Sequence, residues 1–297
     1  MGRVGILGST GMLGSVLTRH LTESIGEVVE LNRSGTKLFP GNLTRKIDVT
    51  DPAINLDLTF ADLEIDYVVN AIGMIRQLIN KEDEKSTRLV TEINSHFPKK
   101  LNDFSIKSGV KVIQIGTDCV FSGSKGGYTE VDAFNPIDLY GVSKANGEAN
   151  SPHAMTIRCS IIGRELQTKH SLLEWVLNQA PRAEINGYSN HIWNGVTTLD
   201  FAKIVGGIVT REAFRRGTFH LVPKNVISKS DLIRGIANEF GRNDLQISEF
   251  HTPTSVNLTL NTIHPTQNSK MWTLGGYNEI PTIEEMLKSY SRWSLSR

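Results

Sequence analysis

Through the first 160 residues, short apolar runs alternate with longer stretches in which apolar residues recur every three to four positions. Arg3 to Leu7 and Val28 to Leu31 are compact runs that read as strands buried on both faces. Arg45 to Val49, Tyr67 to Ala71, Val110 to Ile115 and Met155 to Arg158 read as the third to sixth strands. Between them, Leu13, Val16, Leu17 and Leu21 mark one face of a helix over Met12 to Ile25. Leu89, Val90, Ile93, Phe97, Leu101 and Phe104 mark a long helix over Lys85 to Lys107, and Asp138 to Ala149 reads as a shorter one. Each crossover between parallel strands needs a helix to return the chain, so this alternation predicts an α/β fold with a doubly wound parallel sheet.

Beyond residue 160 the rhythm weakens. Helices are expected over Leu172 to Gln179, Leu199 to Phe214 and Ser230 to Phe240, the last capped by Ser228 or Ser230 and ended by Gly241. Short strands such as Thr218 to Leu221 lie between them. Residues 1–160 are therefore expected to form the nucleotide-binding domain, with returns from the second half. Residues 161–297 are expected to form mainly a smaller, interleaved substrate lobe.

Composition narrows the function classes. The 297 residues carry 32 basic and 31 acidic side chains, a formal net charge of +1, which gives no basic surface for nucleic acid or an anionic membrane. No apolar run reaches the roughly 18 to 20 residues of a membrane span, and Met1-Gly2-Arg3 leads at once into the first strand rather than into a signal peptide. Two cysteines, Cys119 and Cys159, make no disulfide framework, and the cytoplasm is the expected compartment. The eight histidines show no metal-binding spacing, and neither HExxH nor GxSxG occurs, so no metal site is expected.

The first chemical motif is Gly8-Ser9-Thr10-Gly11-Met12-Leu13-Gly14, between the first strand and the first helix. Glycines permit a tight turn and close approach of the backbone to a pyrophosphate, and the following helix aims its free N–H groups at the same place. A purely structural tight turn is the competing reading. The end of the second strand reports on the nicotinamide used. An acidic residue there accepts from the ribose 2′-hydroxyl of NAD, whereas NADP calls for a neutral residue and a cation. Here the chain reads Leu31-Asn32-Arg33-Ser34. Asn32 is neutral, and Arg33 suits a 2′-phosphate. Two features complicate this: Glu30 becomes the acid if the strand ends earlier, and Arg33 is otherwise a solvated surface residue. Asp48-Val49 ends the expected third strand, where the carboxylate meets an adenine amino group or closes a turn before Thr50. Asn70-Ala71-Ile72 ends the fourth, at the edge where such sheets bind ligands. NADP(H) is the cofactor these residues point to.

Tyr140-Gly141-Val142-Ser143-Lys144 places a phenol and an ammonium one helical turn apart. A nearby ammonium favours phenolate, so Lys144 is expected to lower the Tyr140 pKa and ready the phenol to protonate a carbonyl oxygen as hydride reaches the carbon. Alone, Tyr-x-x-x-Lys is commonly a solvated helix face. Gly116-Thr117-Asp118-Cys119-Val120-Phe121, directly after the fifth strand, strengthens it by offering the Thr117 hydroxyl to the same carbonyl.

With these motifs in order, the chain resembles the extended short-chain dehydrogenase/reductases, and most of all their dTDP-4-dehydrorhamnose reductase branch. The likeness rests on Gly8 to Gly14, Asn70-Ala71, Gly116 to Gly123, Tyr128-Thr129-Glu130, Asn135-Pro136, Tyr140 to Glu148 and Arg158-Cys159-Ser160. More weakly it extends to Asn194 to Thr197, Leu199 to Val209 and Gly217 to Leu221. The resemblance implies a Rossmann sheet and a Thr117, Tyr140, Lys144 triad. In it Tyr140 donates the proton, Lys144 also holds the nicotinamide ribose, and Thr117 orients the keto group. It also implies a lobe that closes over a nucleotide sugar, keto at C4, and a homodimer is an expectation of the same fold.

The chain departs from the branch at Cys119, where an aromatic is usual, at Ser122, where an acid is usual, at Ile161-Ile162 in place of a tryptophan, and at Ile263-His264-Pro265. Reduction of a keto sugar survives these changes, while the identity of sugar and nucleotide does not carry over. Thr117, Asp118, Cys119, Trp193 and Asn194 are the candidate substrate contacts, the last two lying with His191 in an expected loop. Cys119 is otherwise a buried inert thiol, and Trp193 otherwise a core residue. Lys81 to Lys85 reads as a solvated, charged loop. An epimerase of the same fold, or a regulatory subunit like the beta subunit of methionine adenosyltransferase, are the alternative functions. The Asp-Glu pair expected of a dehydratase after Thr117 is absent.

Overall fold

Seven parallel strands form the central sheet in the computed structural model, which describes residues 2–148 and 151–296. In chain order they are β1 (Arg3–Leu7), β2 (Val28–Asn32), β3 (Leu43–Lys46), β4 (Ile65–Asn70), β5 (Lys111–Gly116), β6 (Ala154–Arg158) and β7 (Gly217–His220). Their spatial order is β7-β6-β5-β4-β1-β2-β3. The chain runs outward from β1 to β3, then crosses back to β4 on the other side of β1. That reversal leaves a crevice outside the carboxyl ends of β1 and β4.

Because side chains alternate across a strand, each run of apolar residues supplies both faces of the sheet. Val4, Ile6, Val69, Ile113 and Ile157 join Leu13, Leu17 and Leu21 of the first helix (Met12–Ser24) on one face. Leu7, Val29, Leu31, Val68 and Val112 join Phe97, Leu101 and Phe104 on the other. The first of these cores runs on without a break into the second half, through Trp193, Leu232, Ile236 and Met286.

Residues of the second half enter the helix layer on the first face and the sheet itself. The helix Thr198–Thr210, held by a capping box between Thr197 and Asp200, packs on the first helix, and β7 extends the sheet beside β6. The remaining strands form small separate sheets. Ile227–Ser228 and Val256–Asn257 flank His191–Trp193, and Gln246–Phe250 pairs with Glu184–Tyr188. Ser228, not Ser230, caps the helix Lys229–Glu239 by accepting from the Asp231 N–H. Two helices had no counterpart among the expected elements, Pro265–Leu274 and Ile283–Leu295, the second opened by a Thr282/Glu285 capping box. Among the described residues no helix is long and apolar enough to cross a membrane.

Three expectations are corrected. The third strand covers Leu43–Lys46, not Arg45 to Val49. After Lys46, Asp48 Oδ1 accepts from the Thr50 N–H at 3.0 Å and its hydroxyl at 2.7 Å, so a turn ends the pairing while Ile47 and Val49 stay buried. The long helix is interrupted: Glu84–Thr91 and Phe97–Ser108 are joined by a wide π turn over Glu92–His96. Pro98 has no N–H to offer the Asn94 carbonyl, which relaxes the α-helical ladder there. The charged run at Lys81 to Lys85 is only partly loop, since Asp83 caps the helix that begins at Glu84. The expected helix from Asp138 is observed over Leu139–Asn146, and Ala149, its expected end, lies outside the described residues.

Candidate active site

Of the three glycines after β1, Gly11 in the turn and Gly14 in the first turn of the helix have different tasks. A Cβ on Gly14 would sit 1.9 Å from the Gly8 carbonyl oxygen, so glycine there lets the helix begin against the turn. Gly11 is exposed, has φ −77° and ψ 175°, and a Cβ on it would meet only the Gly8 carbonyl oxygen, at 3.3 Å. A side chain at Gly11 would require the Gly8 carbonyl to yield by only a few tenths of an ångström, and the space otherwise left open lies at the N-terminus of the first helix. That is a cradle a phosphate fits and a Cβ would fill. Ser9 is fully buried, and its hydroxyl accepts from Asn32 Nδ2 at 2.8 Å. Thr10 and Met12 are half-buried at the rim, and Leu13 lies in the core.

Asn32 ends β2 and is itself buried. Its amide donates to the Thr36 carbonyl at 2.8 Å, and its oxygen accepts from Ser34 Oγ at 2.9 Å, so it shapes the 32–36 turn. Glu30 is fully buried and accepts from the Leu38 and Phe39 N–H groups and from Asn42 Nδ2. A carboxylate spent inside the protein in this way does not reach a ribose. Arg33 is exposed, and together with Lys46, which faces Asn32 across the β2–β3 pairing, it draws the Asp48 carboxyl below its usual range. The hydrogen bonds from Thr50 contribute more to that lowering. The edge beside Asn32 thus carries two cations, of which Lys46 was not anticipated. Across the crevice, Asn70 is buried and its Oδ1 accepts from the Ile72 N–H. Ala71 and Ile72 pack against Gly8, where a Cβ would lie 3.0 Å from Ile72 Cγ1.

Thr117 follows β5 and caps the short turn Asp118–Val120, accepting from the Cys119 N–H at 3.2 Å and donating to Asp118 Oδ1 at 3.1 Å. The helix bearing Tyr140 can reach this turn because of Gly141: a Cβ there would lie 2.2 Å from the Cys119 carbonyl oxygen. Asp138 caps that helix through the Gly141 N–H and pairs with Arg76 at 2.5 Å. The structure therefore brings Tyr140, Thr117, Asp118, Cys119 and Arg76 to one place at the carboxyl edge of the sheet.

Their electrostatics depart from expectation. Burial pushes the Tyr140 phenol up from its ordinary range, and Cys119 and Asp118 act in the same sense. Thr117 and Arg76 favour the phenolate, but Lys144 is not among the groups that do so. Its ammonium is buried and donates to the Ile115 carbonyl at 3.0 Å. Burial lowers the Lys144 pKa, partly offset by Glu148. The expectation that Lys144 lowers the Tyr140 pKa is corrected on this ground: desolvation outweighs the neighbouring charges. Burial and Asp118 also push the Cys119 thiol up, so it is held protonated, donating towards Asp118 Oδ1 at 3.5 Å.

One residue beside the triad, Asn94, escaped the sequence reading, and a second, Arg158, entered it only as the end of a strand and part of the likeness, without its ion pair. Asn94, in the π turn, accepts from the Met74 N–H at 2.8 Å and donates to Ser143 Oγ at 3.0 Å, tying the chain after β4 to the Tyr140 helix. Arg158 pairs with Glu148 through two contacts of 2.7 Å and reaches His220 Nε2 at 3.1 Å, which binds β6 to β7. Pro98 was the available signal for the first; nothing local signals the second.

Trp193 and Asn194 are placed otherwise than expected. Residues His191–Trp193 form a strand rather than a loop, because they pair on both sides. The Trp193 ring is buried, its N–H donates to Ser160 Oγ at 2.7 Å, and the ammonium of Lys229 lies 5.2 Å from the ring centroid. Asn194 is buried and exchanges both its amide groups with the Leu260 backbone, at 2.7 and 2.9 Å. Neither offers a free face to a sugar, and Lys229 covers the indole instead.

The chain as a whole also matches a known family. The model described as RmlD substrate binding domain matches residues 2–274. The chain belongs to that family. It is 25% identical over 253 residues to the dTDP-4-dehydrorhamnose reductase of Aggregatibacter actinomycetemcomitans, covering 80% of this chain and 79% of that protein. Methionine adenosyltransferase 2 subunit beta of Danio rerio is 29% identical over 169 residues, 53% of this chain and 51% of that protein. Among solved structures, the dTDP-4-dehydrorhamnose reductase of Bacillus anthracis in complex with NADP superposes with a TM-score of 0.74 at 19% identity, covering 99% of this chain and 100% of that one. At that identity the superposition shows a shared fold.

Proposed function

We propose that the protein reduces the keto group, at C4, of a nucleotide-linked deoxysugar with NADPH. The observation that carries this reading is the convergence of Tyr140 and Thr117 at the carboxyl edge of the sheet, the edge at which the Gly8–Gly14 turn also lies. The family and the reductase relative support the substrate class. Arg33 just after β2 and Lys46 facing Asn32 from the end of β3, with the Glu30 carboxylate spent inside the protein, support NADP over NAD.

When bound, the reduced nicotinamide supplies hydride to the carbonyl carbon. The chain supplies what the oxygen needs. Thr117 hydrogen-bonds the keto oxygen and fixes its place beside the phenol. Burial keeps Tyr140 protonated until negative charge builds on that oxygen. Its proton then completes the alcohol, and Thr117 and Arg76 stabilise the phenolate left behind. Lys144, anchored on the Ile115 carbonyl, holds the ribose. The partial match to methionine adenosyltransferase 2 subunit beta favours a regulatory role as the second reading.

Incubation of the purified protein with NADPH and a panel of dTDP- and UDP-linked 4-keto sugars separates the two. Substrate-dependent loss of NADPH absorbance, larger than with NADH, is the expected result. NADPH binding without turnover on any member of the panel would favour the regulatory role.

A further inference from the structure

Lys229 opens the helix that follows the Ile227–Ser228 strand, and pairing of that strand with His191–Trp193 carries the lysine over the indole. Trp193 is pinned to Ser160, just after β6, and Asp118 and Cys119 stand just after β5, so Lys229 meets the carboxyl edge of the sheet from the lobe side. Asp118 and Cys119 both act on it electrostatically. Its side chain is half-buried and, among the described residues, takes part in no hydrogen bond or ion pair. An ammonium has three donors and no acceptor of its own, and a desolvated one without acceptors is costly. Contact with an aromatic face offsets part of that cost and leaves the donors open.

We propose that Lys229 recognises a charged oxygen of the sugar nucleotide, either a carboxylate on the sugar or a phosphoryl oxygen of the diphosphate. The inference rests on the nucleotide-sugar reading and deepens it. Asp118 remains hydrogen-bonded to Thr117 and Cys119 while Lys229 takes the ligand oxygen. The groups facing the amine are Asp118 and Cys119 from the turn after β5 and His191 from the neighbouring strand. Burial holds the amine down to about 8. The ammonium is the binding form, so affinity for an anionic ligand is full below that pH and falls above it.

The test is calorimetry on the full chain saturated with NADP+, comparing the parent, Lys229→Gln and Lys229→Arg. The ligands are dTDP, UDP, dTDP-glucose, UDP-glucose and UDP-glucuronic acid. For whichever of them binds the parent, Lys229→Gln should raise Kd roughly 10- to 100-fold, the worth of a charge-assisted contact. Lys229→Arg should stay within a few-fold of the parent and lose the fall in affinity between pH 8 and 9.5. NADPH affinity should be the same in all three. A loss already present with the bare diphosphates assigns the oxygen to a phosphoryl group, and a loss confined to UDP-glucuronic acid assigns it to the sugar carboxylate. Parent-like affinity of Lys229→Gln for every ligand would overturn the role of Lys229 alone. A parent that binds NADPH but none of the five ligands would overturn the nucleotide-sugar reading with it.

Discussion

On the dinucleotide side of the cleft, several polar and glycine residues sit at or directly after the end of a strand: Gly8 to Gly14 after β1, Asn32-Arg33 at the end of β2, Thr117 after β5. On the lobe side, Lys229 reaches the cleft only because Ile227–Ser228 pairs with His191–Trp193, and Trp193 in turn is fixed to Ser160. The first kind of site is assembled by local geometry, so a change there should alter ligand binding with little effect on folding. The second is assembled by packing between distant segments, so most changes there should alter stability first. Lys229, whose amine rests on the Trp193 ring but takes part in no hydrogen bond or ion pair among the described residues, is the exception this contrast singles out.

The largest expected effect is at the phosphate turn. Gly11→Val should abolish detectable NADPH binding while lowering the melting temperature of the cofactor-free protein far less than Gly14→Ala does, since the backbone at Gly11 is extended and a Cβ there meets only the Gly8 carbonyl oxygen, at 3.3 Å. Gly14→Ala makes the matching control: its Cβ would collide with the Gly8 carbonyl, and overpacking of that kind costs about 1 to 3 kcal/mol. Thermal melts and fluorescence titration of both variants check the pair. If Gly11→Val binds NADPH like the parent, the cradle is only a turn.

Arg33→Ala should come next, weakening NADPH roughly 10- to 100-fold while leaving NADH unchanged, as loss of one charge-assisted contact predicts. Lys46→Ala should act in the same direction and more weakly, as the accessory cation of the same edge. Equal weakening of both cofactors in Arg33→Ala would remove the 2′-phosphate from the account. A smaller effect, of the other kind, is expected at Asn194. Asn194→Ala strands the Leu260 N–H and carbonyl that it now satisfies, at about 1 to 3 kcal/mol of stability. Its melting temperature should fall while ligand affinity holds. A selective loss of affinity instead would return Asn194 to the substrate site.

The same contrast explains what could be read from the sequence. Strand-to-helix alternation and the glycine turn are local patterns, and the sheet follows from them. The end of β3 was misplaced because Ile47 and Val49 stay buried after pairing has stopped, and burial alone does not mark where a strand ends. Tyr140 and Lys144 were legible as one turn of helix. That the Lys144 amine turns to the Ile115 carbonyl, leaving burial to dominate the Tyr140 phenol, depends on β5 and was not. Trp193 drew notice as an aromatic near the cleft, but its burial and the lysine above it depend on strand pairing that has no local signature.

The central claim, that Tyr140 is the proton donor of a reduction carried out on the Gly8–Gly14 cradle, is tested most directly by Tyr140→Phe. The measurement is the steady-state rate of NADPH oxidation with the best keto sugar of the panel, beside an NADPH titration of the same variant. The account predicts turnover reduced by roughly 10²- to 10⁴-fold, the usual worth of a general acid, with NADPH affinity nearly unchanged. A Tyr140→Phe enzyme that oxidises NADPH at the parent rate would contradict it.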